Sequence, residues 1–290
     1  MTDLDILALK SIKGISNKTV LSILNRFGSH WQNYHDLWDI LQEFYHLSRE
    51  EINTAYQKAK ESLEEHRKQG ITIVSYVDVQ FPQQLREIEN PPLLLYIKGD
   101  VTILRPENSV AVIGMRQPTE SGKKIGFEIG KNLAESGLIV VSGLALGCDT
   151  AGHKGCIAGG GKTIAVLAHG LQTIYPPSNQ ELAQTIVETG GCLVSEYPLG
   201  YHYYGNTFIE RDRLQSGLST AVIVIETDLT GGTMHTVKFS LEQKRILACI
   251  VYPLQKQPRG NQLLITSGKA IPLANQEELL SLIEVVKVLG

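Results

Sequence analysis

The chain has 290 residues, 42% hydrophobic and 20% charged, with a formal net charge of −3. That length holds one large domain and a small one, and the ordinary apolar and charged fractions exclude disordered and fibrous classes. The near-neutral charge excludes a protein whose whole surface binds nucleic acid electrostatically, so an anionic ligand must meet a local basic patch. Cys148, Cys156, Cys192 and Cys249 form no C-x-x-C pair and no ligand spacing with histidine. This argues against a zinc or redox motif and fits reduced, packed thiols of a cytoplasmic protein. Met1 to Asp5 lacks a basic and an apolar signal region, and no run is long enough for a bilayer, so neither secretion nor membrane insertion is expected.

Residues 3–68 read as helical. Leu4, Leu7 and Ile12 lead into Gly14, and Val20, Ile23, Leu24 and Phe27 form a stripe ending at Gly28, capped by Ser16 or Asn17. The segment from Leu9 to Ile15 followed by a helix resembles a helix–hairpin–helix or SAM-like module; a plain helical packing domain is the alternative. A charged helix from about Ser48 to Lys68 closes it, and Gly70 breaks that helix. Ile71–Val74 and Leu93–Ile97 are strands that suit the edge of a larger sheet. Next come Ser109–Ile113, stopping at Gly114-Met115-Arg116, a helix with Ile125, Ile129 and Leu133 in step, and Leu138–Val141, stopping at Ser142-Gly143. Thr163–Leu167 follows, then a helix capped by Ser178, the strand Cys192–Val194 and an aromatic loop from Glu196 to Asn206. A helix from Phe208 to Leu218, the strand Ala221–Ile225, the turn Thr230–Thr233, a helix to Lys244, the strand Ile246–Val251, a proline loop and a helix from Gln276 complete the chain.

Short Val/Ile-rich strands alternating with helices imply right-handed βαβ units. The expected fold is α/β: an extended Rossmann-like, doubly wound, mostly parallel sheet over residues 70–290, with a small all-α domain over 1–69. Ligands of such sheets bind beyond the carboxyl ends of the strands. Arg116 leaves the first central strand and is read as a phosphate clamp. No G-x-G-x-x-G follows that strand, the second ends in Ser142-Gly143 rather than a ribose-binding acid, and there is no P-loop, so no dinucleotide or other cofactor is expected. Lys162 before the third strand is either an edge charge or part of the site. Phe208, Arg211 and Arg213 are either a salt-bridged cluster with Glu196 or Glu210, or an aromatic-plus-arginine grip on single-stranded nucleic acid. Asp149 and His153 share a helix face, and Asp149 is read as a helix-start cap rather than half of a metal or acid–base pair. With no paired carboxylates, ligand cluster or activated nucleophile, no catalysis and no metal site are expected.

Taken in order, these residues resemble the DNA-processing protein A family (DprA, or Smf). Its glycine turn appears as Gly114-Met115-Arg116, and its S-G-x-A-x-G-x-D signature as Ser142, Gly143, Ala145, Gly147 and Asp149. His153 follows that signature, with Gly152 in place of alanine. Gly160 to Leu167, Tyr175-Pro176, Asn179, Ser195-Glu196 and the block of Phe208, Arg211, Arg213 and Gly217 to Ser219 continue the match. The resemblance implies a homodimeric single-stranded DNA binding protein. Such a protein protects incoming or exposed single-stranded DNA and loads the RecA recombinase in natural transformation and homologous recombination. It implies a DNA/phosphate site at Gly114, Arg116, Ser142, Gly143, Lys162, Phe208, Arg211, Arg213, Gly232 and Thr233. Three departures stand out. Asp212 replaces asparagine and is expected to set a negative charge against phosphate; Gly231 to Val237 alters an S-G-S-x-x-T-A block; and the family's winged-helix domain is not expected after Gly290. The alternative is a non-catalytic nucleotide-binding sensor of the same superfamily. The related P-G-G-x-G-T-x-x-E hydrolases would need a glutamate where Lys238 stands.

Overall fold

The computed structural model describes residues 2–27, 39, 41–42 and 45–289. The chain starts with α1 (Asp3–Ser11), α2 (Asn17–Phe27) and α3 (Arg49–Lys68). Thr2 with Asp5, and Ser48 with Glu51, close capping boxes that satisfy the first amides of α1 and α3. The Ser16 hydroxyl accepts from the Thr19 amide at 3.1 Å, the capping role expected for it; Gly28 lies outside the described residues. Ile6, Leu9, Ile52 and Ala59 are buried in one cluster with Ile71, Ile73, Leu94 and Tyr96. The helices therefore share a core with the edge of the sheet.

Among the described residues that sheet has nine strands: β1 (Ile71–Ser75), β2 (Leu94–Gly99), β3 (Ser109–Ile113), β4 (Ile139–Ser142), β5 (Thr163–Leu167), β6 (Cys192–Ser195), β7 (Ala221–Val224), β8 (Ile246–Ile250) and β9 (Ile271–Leu273). Their order is β1-β2-β6-β5-β4-β3-β7-β8-β9. All neighbours from β6 to β9 run parallel, and β1 and β2 are added antiparallel at one edge. The crossovers carry α5 (Glu120–Glu135), α6 (Cys148–Ala158), α7 (Gln180–Glu188), α9 (Gly232–Glu242) and α10 (Arg259–Thr266). The short α4 (Gln83–Arg86) links β1 and β2, α8 (Gly205–Gly217) links β6 to β7, and α11 (Gln276–Leu289) ends the chain.

Successive strand residues point to opposite faces, and both faces are covered, which is why the strands read as unbroken apolar runs. Val110 and Val112 join Ile129, Leu133 and Ile283 on one face. Ala111 and Ile113 join Leu214, Val237 and Leu264 on the other. On the first face α5 and α6 touch backbone to backbone. A Cβ on Gly130 would lie 2.2 Å from the Gly152 carbonyl, and one on Gly155 would lie 1.9 Å from that of Phe127. From β3 the chain builds to one side as far as β6, then returns to place β7 on the other side of β3. The reversal falls between β3 and β7, where an open α/β sheet leaves its ligand crevice.

Two sequence expectations change. The expected proline loop after Val251 contains α10 and β9; Pro272 is tolerated because β9 is an edge strand. Ser178 does not cap α7, which starts at Gln180; Asn179 sits at the cap and turns its amide to Leu144 O at 2.8 Å and Thr150 Oγ1 at 2.9 Å.

Candidate functional site

A cleft of about 600 Å³ opens at the carboxyl ends of β3 and β7, walled by the turn after β3, the starts of α8 and α9, and the loop after β7. The turn after β3 is tight: Met115 N donates to Glu226 O at 2.9 Å and Cys148 N donates to Met115 O at 3.1 Å. A Cβ on Gly114 would lie 2.5 Å from Cys148 Sγ, so only glycine passes here. This turn throws Arg116 into solvent, where its guanidinium stands over the Phe208 ring at 5.5 Å. Among the described residues no ion pair or hydrogen bond engages it.

The helix start that would cradle phosphate in a Rossmann fold is already filled. The buried Glu226 carboxylate, at the end of β7, accepts from Thr119 N at 2.8 Å and from Thr119 Oγ1 at 2.5 Å. Thr119 in turn caps α5 by accepting from Gly122 N at 3.0 Å, and a Cβ on Gly122 would lie 2.5 Å from the Glu226 carboxyl. A ligand phosphate is excluded there by charge and by volume. The start of α9 is different. Gly231 takes φ 128°, no side chain caps the helix, and nothing lies within 4 Å of a Cβ built on Gly231 or Gly232. Its first amides face the cleft uncapped, where an anion is favoured by the amides and the helix dipole.

Aromatic rings continue outward from Phe208 at the rim of the cleft. Phe208 lies 5.7 Å from Tyr175 and 5.6 Å from Tyr203, Tyr175 lies 4.5 Å from Tyr203, and His169 lies 5.9 Å from Tyr203. Tyr203 remains 43% exposed, so the shelf has an open face.

Beneath the cleft lies a buried ionic network. Arg211 is 6% exposed; its Nη1 donates to Gly143 O at 2.6 Å and Val166 O at 2.7 Å, and its Nε to Asp212 Oδ1 at 3.1 Å. Asp212 also accepts from Gln215 Nε2 at 2.8 Å. Burial pushes the Asp212 carboxyl up to about 6, with the Arg211 charge opposing. Asp149 accepts from Gly143 N at 3.1 Å and Ala145 N at 3.3 Å, so it ties down the loop after β4 rather than the amides of its own helix. Burial raises its pKa against the pull of Arg211. His153 turns away to Thr163. The Thr163 hydroxyl donates to Val140 O at 2.7 Å, so at 2.7 Å it receives the proton of His153 Nδ1. Burial, assisted by the Arg211 charge, pushes His153 down to about 3 and keeps it neutral. Asp149 and His153 are thus separate supports, and among the described residues no group of His, Cys, Asp and Glu could hold a metal.

Six of the ten expected site residues line the cleft: Gly114, Arg116, Phe208, Arg211, Gly232 and Thr233. The other four do not. Ser142 donates to Val112 O at 2.7 Å and is fully buried, and Gly143 spends its amide on Asp149 and its carbonyl on Arg211. Arg213 pairs with Glu196 at 2.7 Å and donates to Asn90 O and Glu210 O, the salt-bridged alternative. Lys162 precedes its strand, hence sits at the amino edge of the sheet, paired with Asp100 at 3.0 Å and packed beside Gly190. Its expected convergence with Arg116 fails because a parallel sheet puts strand starts and strand ends on opposite edges. Asp212 lines the floor of the cleft, with its Oδ1 engaged by Arg211 at 3.1 Å and Gln215 at 2.8 Å, so its charge is matched by Arg211. Sequence reading missed Glu226 as the occupant of the α5 start, and missed Tyr175 and Tyr203 as partners of Phe208. The aromatic content of residues 196–206 was the available signal for Tyr203; nothing local pointed to Tyr175.

The chain is similar in sequence and fold to known proteins. The profile of the family described as DNA recombination-mediator protein A matches residues 72–284. Protein Smf from Synechocystis is 31% identical over 289 residues, which cover 95% of this chain and 71% of that protein; the chain spans 66% of DNA processing protein DprA from Bacillus subtilis and 53% of protein Smf from Escherichia coli, each 36% identical to it. The crystal structure of DNA processing protein A from Streptococcus pneumoniae superposes with a TM-score of 0.80 at 29% identity, covering 97% of this chain and 98% of that one. A structure of DNA processing protein A from Helicobacter pylori, concerned with its single-stranded DNA binding mode, superposes with a TM-score of 0.67 at 27% identity. It covers 74% of this chain and 95% of that one.

Proposed function

Because this chain belongs to the DNA recombination-mediator protein A family, we propose that it binds single-stranded DNA in the cleft between β3 and β7. The observation that carries the reading is Arg116, held free by its glycine turn over the ring of Phe208 and beside the uncapped start of α9. A backbone phosphate fits the guanidinium and the open amides, and bases fit the shelf of Phe208, Tyr175 and Tyr203, since every base has a face to stack. Gly114, Gly232 and Thr233 are backbone parts of this site, and Arg211 supports it from below. Under the same reading the protein works by binding rather than turnover. It acts as a cytoplasmic homodimer that protects single-stranded DNA and hands it to the RecA recombinase during transformation and recombination. Residues 1–69 serve as a helical unit set on the sheet-bearing 70–290.

The test is a titration of labelled single-stranded DNA, duplex DNA and a mononucleotide at several salt concentrations. Single strands should bind best, with log affinity falling by about 0.7 per phosphate contact for each unit of log salt. Tighter binding of the mononucleotide, with little salt dependence, would instead identify a nucleotide sensor.

A further inference from the structure

Resting on this reading of the cleft, we infer that a bound single strand continues along the aromatic loop to a second anchoring site, at the seam between the N-terminal helices and the sheet. A cavity of about 420 Å³ opens where α1 and α3 meet β2 and the loop after β6. Lys10, Asn17 and Lys58 line it from the helices, and Tyr96, Tyr197 and Tyr201 from the other side. Both ammonium groups are on exposed residues, and no ion pair neutralises either of them among the described residues; Lys10 donates only to the neutral Asn17 side chain. Burial lowers the Lys10 pKa, with Glu196 opposing; Glu196, the acid in this wall, also pairs with Arg213 at 2.7 Å, so Lys10 and Lys58 leave the cavity with a positive balance.

The rings join this seam to the cleft. Tyr201 stacks on Tyr197 with centroids 4.4 Å apart and planes at 14°, and Tyr204 meets Tyr201 edge-on at 6.0 Å. Tyr203, the next residue in the chain, belongs to the shelf of the cleft. One short loop therefore carries rings toward both sites, and Tyr203 and Tyr204 stand 43% and 61% exposed between them. Leu199 N donates to His66 Nε2 at 3.0 Å, which pins the loop to α3 and fixes the seam relative to the rings. Exposed rings leading to half-buried rings beside lysines suit a flexible, sequence-independent strand: bases stack on Tyr203 and Tyr204, and the Lys10 and Lys58 ammonium groups meet the backbone as point charges.

Fluorescence anisotropy with oligothymidylates of about six and about twenty nucleotides separates the two sites. The parent should bind the long oligomer at least about tenfold more tightly than the short one, beyond the few-fold gain from extra registers. A K10Q/K58Q variant should bind the short oligomer like the parent, lose the gain on the long one, and show a salt slope smaller by about 1.4. Tyr201→Ala should lose part of the same gain, and K10R/K58R should keep it, which separates charge from packing. Parent-like affinity and slope of K10Q/K58Q on the long oligomer would overturn the inference. A parent that binds the short oligomer but gains nothing with length would also overturn it while leaving the cleft reading intact. A parent that binds neither would sink both.

Discussion

Replacing Arg211 by methionine keeps most of the side-chain bulk and removes a buried cation that ties three elements together. Its guanidinium donates to Gly143 O after β4, Val166 O in β5 and Asp212 in α8. The carboxyls of Asp212 and Asp149 would stay in the interior without the charge that faces them. Removing one partner of a buried pair costs about 3–5 kcal/mol. At about 2–4 °C per kcal/mol for a domain of this size, the melting temperature should fall by roughly 6–20 °C, as read by scanning calorimetry. Measured well below that transition, affinity for single-stranded DNA should stay within a few-fold of the parent, because Arg211 supports the loop rather than meeting the ligand. A variant that melts with the parent and has lost DNA binding would refute this and return Arg211 to the ligand.

The neighbouring residues give three further expectations. Asp212→Asn should lower stability by about 1–3 kcal/mol in denaturant titrations, by taking the counter-charge from Arg211, and should not tighten DNA binding; tighter binding at unchanged stability would contradict the network. Thr119→Val removes the hydroxyl that donates to Glu226 and accepts from Gly122 N, while the Thr119 amide still reaches Glu226, and should cost about 1–3 kcal/mol in the same assay; a neutral result would mean that Glu226 and the α5 start are satisfied otherwise. For His153 the sign follows from its folded pKa of about 3 against about 6.5 when unfolded. As pH falls the unfolded chain takes up the proton first, so the contribution is complete above about 6.5 and is lost progressively down to about 3. The stability gap between parent and His153→Gln should narrow by about 2 kcal/mol between about pH 7 and about pH 5. An unchanged gap would mean that His153 is solvated.

The strands of the sheet were legible because a parallel sheet covered on both faces demands continuous Val/Ile runs, and those runs end in glycine or polar residues at the working edge. β9 was not, since three residues with a central proline carry no strand pattern and are held only by pairing with β8. At the site, Arg116 was readable from its place after β3. Lys162 could have been excluded by the same logic, because a residue before a parallel strand lies at the far edge. Arg211 was not readable: its partners Gly143 and Val166 are 68 and 45 residues away, and nothing local shows which glycine makes room for a guanidinium. A Cβ on Gly143 would fall 1.9 Å from Arg211 Nη1, so glycine and arginine were one feature appearing as two motifs. Glu226 was similarly hidden, since only the folded chain brings the end of β7 to the start of α5.

The measurement that bears most directly on the cleft is the affinity of Arg116→Ala and Phe208→Ala for single-stranded DNA, with melting temperature followed in parallel. Arg116 is exposed and Phe208 half-buried at the rim, so neither change should shift melting by more than a few degrees. Losing the charge-assisted contact or the stacking ring should each cost about 1–3 kcal/mol, on the order of tenfold in affinity, and the Arg116 variant should have a salt slope smaller by about 0.7. If both variants bind as the parent does, with the parent's salt dependence and melting temperature, the DNA lies elsewhere and the cleft between β3 and β7 is not its site.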